Sequence, residues 1–371
     1  MDEKYAFYLT GFENITNRKK EEMFHAFGSA SAVYHAGEKK LRTFLNSAQT
    51  DSFLAGKNTG WEKKYEKMII QNIRFIPFYD KEYPSRLYHI EDKPFGIFVK
   101  GRLPLEHKKS VAIIGARDCS EYGRFVAEDF GIKLAAAGIS VISGMARGVD
   151  GIAMRGALKA GGETFGVLGC GVDVCYPGSN RTLYEETQRK GGIISEYIPG
   201  TAPLALHFPK RNRIISGLAD VVLVVEARVK SGTLITVDMA LEQGKDVYVI
   251  PGRITDFLSE GCNGLILQGC GVALNPEQLI ADLGMDLKNL GNQQNAKEGN
   301  YKQLSLEQLE MLSMLSLDLQ TLPQIMDKFM DNTYLKNFTL PQTMETLMEL
   351  VIAGFVKNEG SYFGLLQPFS H

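Results

Sequence analysis

Ser110-Val111-Ala112-Ile113-Ile114-Gly115 is a short run, apolar on both of its faces, that stops at a glycine. The same device returns at Ile139-Ser140-Val141-Ile142-Ser143-Gly144 and at Thr164-Phe165-Gly166-Val167-Leu168-Gly169. Gly192-Ile193-Ile194-Ser195-Glu196, Asp220-Val221-Val222-Leu223-Val224-Val225-Glu226 and Asp246-Val247-Tyr248-Val249-Ile250-Pro251 continue the series, with helix-length segments between. A strand apolar on both sides must be covered on both sides, so the series predicts an α/β fold with a Rossmann-like parallel sheet. In such a sheet the binding crevice lies at the carboxyl ends of the strands.

Before this core, helical apolar spacing with short polar breaks, as in Arg18-Lys19-Lys20-Glu21-Glu22-Met23-Phe24, predicts a small helical domain over residues 1–65. From Ile73 to Lys100, short apolar runs alternate with Pro77, Pro84 and Pro94, which predicts extended pieces feeding an α/β domain over 66–286. The polar stretch 287–303 reads as a linker. Beyond it, 304–371 shows three helical patterns and then a hairpin around Glu359-Gly360, the pattern of a winged-helix-like domain. Asn337 to Gly354, where a groove-reading helix would lie, has no lysine or arginine and carries Glu345 and Glu349, so this tail is expected to contact protein, or regulate, rather than enter duplex DNA.

With 44% hydrophobic and 23% charged residues the chain has the composition of a soluble globular protein. Acids stand in the opening segment where a signal peptide needs bases, and no apolar run is long enough for a bilayer, so a cytoplasmic protein without membrane contact is expected. Cys119, Cys170, Cys175, Cys262 and Cys270 form no metal-ligand pattern, which predicts reduced thiols and no metal. A net charge of −2 argues against an overall basic coat but leaves room for a local basic groove.

A glycine after a buried strand lets the backbone turn tightly and present N–H groups, and the next helix points its positive end at the same place. Gly115-Ala116-Arg117-Asp118 adds a guanidinium, and Gly144-Met145-Ala146-Arg147-Gly148 repeats the arrangement. Gly169-Cys170-Gly171 leads to Tyr176-Pro177, and Lys230-Ser231-Gly232-Thr233 opens the helix after the fifth strand of the series. Phe208-Pro209-Lys210-Arg211-Asn212-Arg213, followed by Ile214-Ile215-Ser216-Gly217, places three cations in four positions with an aromatic on the flank. Clustered cations with no acid among them suit a strand of phosphates. Any parallel sheet needs glycines at its strand ends, and an aromatic beside proline commonly lies in a core, but three such loops in one domain, two of them carrying arginine, point to an anion site. No G-x-x-x-x-G-K-[ST] occurs, and Ser120 stands where the third dinucleotide glycine would fall, so neither P-loop hydrolysis nor a nicotinamide cofactor is supported, and none is expected.

In order and spacing these motifs, with Leu168 to Pro177 and Val225-Glu226-Ala227, resemble the DprA/Smf family over about Ser110 to Asn275. The helical first segment is similar to that family's sterile-alpha-motif-like domain and the tail to its winged helix. The resemblance implies a non-catalytic, homodimeric protein that binds single-stranded DNA and loads the RecA recombinase onto incoming DNA during natural transformation. It also implies a basic pocket holding Arg117 and Lys210 or Arg211, shaped by Asn212, Arg213 and the glycine loops. Many relatives carry a base after the Tyr-Pro pair. Here Gly178 stands there, so that contact is expected to be lost or passed to Arg181. Two rivals remain: a nucleotide phosphoribohydrolase-like enzyme, against which Thr236 stands where a carboxylate is needed, and a nucleotide-sensing scaffold. Turnover of nucleoside monophosphates would mark the first, and preference for a mononucleotide over long strands the second.

Overall fold

The structure, a computed structural model, describes residues 2–285, 304–330 and 332–366. The stretch read as a linker, 287–303, lies outside the described residues.

Twelve strands appear among the described residues: β1 (Arg74–Pro77), β2 (Gly96–Gly101), β3 (Ser110–Ile114), β4 (Ser140–Ser143), β5 (Thr164–Val167), β6 (Gly192–Ser195), β7 (Val221–Val224), β8 (Asp246–Val249), β9 (Gly271–Val272), β10 (Gln320–Thr321), β11 (Val356–Glu359) and β12 (Tyr362–Leu365). All six strands of the apolar series are present, each within two residues of its expected ends. Every residue of β3, β4, β5, β6 and β7 is buried, as strands covered on both faces must be.

Nine strands form one sheet in the order β1-β2-β6-β5-β4-β3-β7-β8-β9. From β6 to β9 the neighbours run parallel, while β1 and β2 add an antiparallel edge beside β6. The chain walks outward from β3 to β6 and then returns to place β7 against β3, with Ile114 opposite Val224. That reversal leaves the loops after β3 and β7 diverging to opposite faces, which opens a crevice at the carboxyl ends of the sheet. The helix His207–Leu218 makes the return, burying Ile214, Ile215 and Leu218.

Helices from Asp2–Thr10 to Trp61–Ile70 fill the first segment, which thus runs past the expected boundary at residue 65. Their core is continuous with that of the sheet: the Phe7 ring lies 6.0 Å from Phe75 of β1 and 5.9 Å from Phe98 of β2. The described residues divide into two compact units, one of 2–118 with 127–285, the other of 119–126 with those from 304 on. In the second unit, helices Leu306–Met314, Leu322–Asp327 and Leu340–Ile352 pack with β10, β11 and β12 around Leu347, Leu350 and Phe363. The expected hairpin turns at Gly360, whose φ of +68° is open to glycine at little cost.

Candidate nucleic-acid interface

At the crevice between β3 and β7 a cavity of about 680 Å³ is lined by Gly115, Arg117, Phe208, Arg211, Asn212, Ser231, Gly232 and Thr233, together with Tyr176 and Arg228. A smaller hollow of about 320 Å³ adjoins it and adds Gly144 and Arg147, sharing Arg117, Tyr176, Phe208 and Arg211. The two make one trough.

Arg117 is exposed on the loop after β3 and its guanidinium stands 5.7 Å from the centre of the Phe208 ring. Phe208 also stacks on Tyr176, 5.4 Å between centroids at 22°. Tyr176 keeps 42% of its surface exposed, so the pair offers an accessible aromatic face beside a cation. Arg147 is likewise exposed; Asp118 lies 3.9 Å away, a loose partner in water. On the other wall, Ser231 starts the helix Gly232–Glu242, and its buried Oγ has no hydrogen-bond partner. The first turn of that helix carries no acid. A helix start with a free hydroxyl and unneutralised N–H groups favours an anion.

The glycines serve the loops. Gly148 sits at φ +72° and ψ −136°, and a Cβ there would meet the carbonyl oxygens of Ala116 and Arg117 at 2.3 and 2.4 Å. The backbones of the two arginine-bearing loops therefore touch, fixed further by the Val149 N–H donating to Ala116 O at 3.1 Å. At Gly144 a Cβ would fall 2.7 Å from Asp150 Oδ2 and 2.8 Å from Arg211 Nη2.

Arg211 itself is buried. Its Nη1 donates to the carbonyls of Gly144, at 2.8 Å, and Val167, and its Nε donates to Asn212 Oδ1 at 3.2 Å. Burial lowers its pKa to about 10, while Asp150 opposes the shift. Asp150 in turn accepts from the Gly144 and Ala146 N–H groups, and burial raises its pKa. Arg211 thus ties the ends of β4 and β5 together from beneath the trough, and its guanidinium is mostly committed.

The cationic run does not act as one patch. Residues 207–218 form a helix rather than a turn, and its 3.6-residue period sends Phe208, Arg211, Asn212 and Ile215 to the trough and His207, Lys210 and Arg213 to a separate cavity on the other side. Arg213 is buried there against Glu196, 2.7 Å away. Three further expected site residues also lie elsewhere. Ser216 is buried and donates back within its own helix, Gly217 abuts Leu87 and Ile90, and Gly171 packs on the Ile198–Gly200 backbone. Arg181 is exposed and paired with Glu185 at 3.1 Å, outside the trough lining. Tyr176 and Arg228 were missed; a cation two residues past Glu226, at the end of a buried strand, was the available signal for the second.

Among the described residues no cluster of metal ligands occurs, and no helix is long and apolar enough to cross a membrane. None of the five cysteines is in a disulfide, and burial pushes the thiols of Cys170 and Cys262 up to about 11 and about 12.

A family profile described as DNA recombination-mediator protein A matches residues 74–284. DNA processing protein DprA of Streptococcus pneumoniae is 42% identical over 203 residues, 55% of this chain and 72% of that protein. A solved structure of DprA from that species superposes with a TM-score of 0.66 at 33% identity, over 75% of this chain and 95% of that one. Protein Smf of Escherichia coli is 33% identical over 321 residues, covering 85% of this chain and 83% of that protein. DNA processing protein A from Helicobacter pylori, whose solved structure concerns its single-stranded DNA binding mode, superposes with a TM-score of 0.52 at 30% identity, over 57% of this chain and 95% of that one. With these likenesses lying over the same sheet that builds the trough, the chain belongs to the DNA recombination-mediator protein A family.

Proposed function

We propose that the chain binds single-stranded DNA in the trough, without chemical turnover, as a homodimer in the cytoplasm, and passes the strand to the RecA recombinase during natural transformation. The observation that carries the binding step is the convergence of exposed Arg117 and the Phe208–Tyr176 stack on one wall with the unpartnered Ser231 hydroxyl and a helix start on the other. Arg117, Arg147 and Arg228 would meet phosphates, and the aromatic pair would take the face of a base. The single-stranded DNA binding of the Helicobacter pylori relative supports this reading.

Such contacts carry no base identity, so affinity should be largely independent of sequence and should fall with salt. Two troughs in a dimer would gain avidity for longer strands without a new contact. The test is fluorescence anisotropy with a labelled oligothymidylate over a salt series. Arg117→Ala is expected to weaken binding by tenfold to a hundredfold, the scale of one charged hydrogen bond, and to flatten the log–log salt slope by about 0.7. An unchanged affinity at low salt would sink the assignment.

A further inference from the structure

On the opposite face of the 207–218 helix, between it and the N-terminal helices, lies a larger cavity of about 850 Å³. DNA binding in the trough makes no use of it. Several residues of its lining hold buried polar atoms without hydrogen-bond partners: Nε and Nη1 of Arg213, Oη of Tyr197 and Nε2 of His207. These residues are 7%, 7% and 1% exposed. Lys20, 4% exposed, has one hydrogen bond, from Nζ to Thr10 O at 3.4 Å. A buried donor left without an acceptor destabilises the fold, more so when it is charged, so a set of them in one cavity calls for an occupant.

The charges state what kind. Deep in the cavity Lys20 and Arg213 face one well-buried carboxylate, Glu196, which holds Arg213 Nη2 at 2.7 Å. Asp92 and Glu13 approach Arg213 and His207 only to 3.5 and 3.6 Å, and their side chains are 57% and 62% exposed. They belong to the exposed mouth. Glu91 and Glu242 also line the cavity but are exposed, and Asp173 accepts from the Gly200 N–H. The positive excess is therefore confined to the buried floor of Lys20 and Arg213 against Glu196, where burial lowers the Lys20 pKa to about 8 even with Glu196, Glu13 and Asp92 nearby. Ile15, Met68, Ile90 and Ile198 supply an apolar wall beside this charged floor.

We infer that this cavity binds a small metabolite through an oxyanion, a carboxylate or phosphate, held by Arg213, Lys20 and Tyr197, with its apolar body against the isoleucine wall. The trough and this cavity share the 207–218 helix but no lining residue, so the two sites are separable by mutation.

The test is isothermal titration of the full chain, saturated with oligothymidylate to occupy the trough, using inorganic phosphate in one arm and succinate in the other. Tyr197→Phe is the decisive variant, because the hydroxyl it removes has no partner and its loss leaves the fold intact. At least one probe is expected to bind, tenfold or more weaker to Tyr197→Phe and to Lys20→Met, and unchanged in Arg117→Ala. The arm that binds tells phosphate from carboxylate. Failure of both probes, binding that survives Tyr197→Phe but vanishes in Arg117→Ala, or a lower melting temperature of ligand-free Tyr197→Phe would each overturn the inference. Repeating the titration without oligothymidylate, on the parent and on Arg117→Ala, separates anion binding in the trough from binding in this cavity.

Discussion

Arg211 and Lys20 show how much a cation's surroundings decide what it does. Arg211 stands in a run of three cations in four positions, yet its guanidinium is spent on the Gly144 and Val167 carbonyls and on facing Asp150. Arg211→Ala should therefore unfold rather than merely weaken binding: it leaves a buried carboxylate without its counter-charge, at a cost of about 3–5 kcal/mol, readable as a lowered urea midpoint. Lys20 gives a pH signature of the opposite kind. Its folded pKa of about 8 lies below the ordinary 10.5, so protonation opposes folding, and the penalty is full below pH 8 and fades as pH rises toward 10.5. Each tenfold loss of proton affinity on folding corresponds to about 1.4 kcal/mol, which makes the full penalty about 3 kcal/mol. Lys20→Met, lacking it, is expected to be more stable than the parent by a margin that shrinks between pH 7 and pH 10, followed by urea unfolding at each pH. Neither role could be read from the sequence, where both residues are simply cations in polar surroundings; the partners that define them are distant in the chain.

Among elements, the 207–218 helix was the least legible and the sheet the most. The sheet strands announced themselves because burial on both faces forces continuous apolar runs bounded by glycine, and the loops after them followed from that. The cationic run misled, because charge clustering along the chain says nothing about direction until its period is known; His207, Lys210 and Arg213 at three-residue steps, against Phe208, Arg211 and Asn212, contained the split. The split has a measurable result. Phe208→Ala is expected to weaken oligonucleotide binding by about 1–3 kcal/mol, the scale of a lost stacking partner, whereas Lys210→Ala should change anisotropy titrations by less than Arg117→Ala, since Lys210 lines the other cavity. Gly148 makes a comparable case for the loops: with its φ of +72° and a carbonyl oxygen 2.3 Å from any Cβ, Gly148→Ala should push the Arg117 loop out of place and reduce DNA affinity with Arg117 still present.

For the whole molecule, the α/β class and the position of the crevice were legible, because a parallel sheet has few ways to arrange its connections. The continuity of the N-terminal helices with the sheet was not: Phe7 meets Phe75 and Phe98 across a stretch of chain that reads as a boundary, and apolar residues do not announce which neighbour they will cover. The return of β7 to the side of β3 carries one more implication. Part of the trough comes from residues 115–118, part from Tyr176 and the 203–215 segment and part from 227–233, and β7, which leads into the last part, follows β3 to β6 in chain order. A fragment ending before Val221 could fold its first βα repeats and still display Arg117, but it would have only one jaw. The trough is therefore complete only once the chain has run past Thr233: a truncated or stalled chain lacks the wall that carries Arg228 and Ser231.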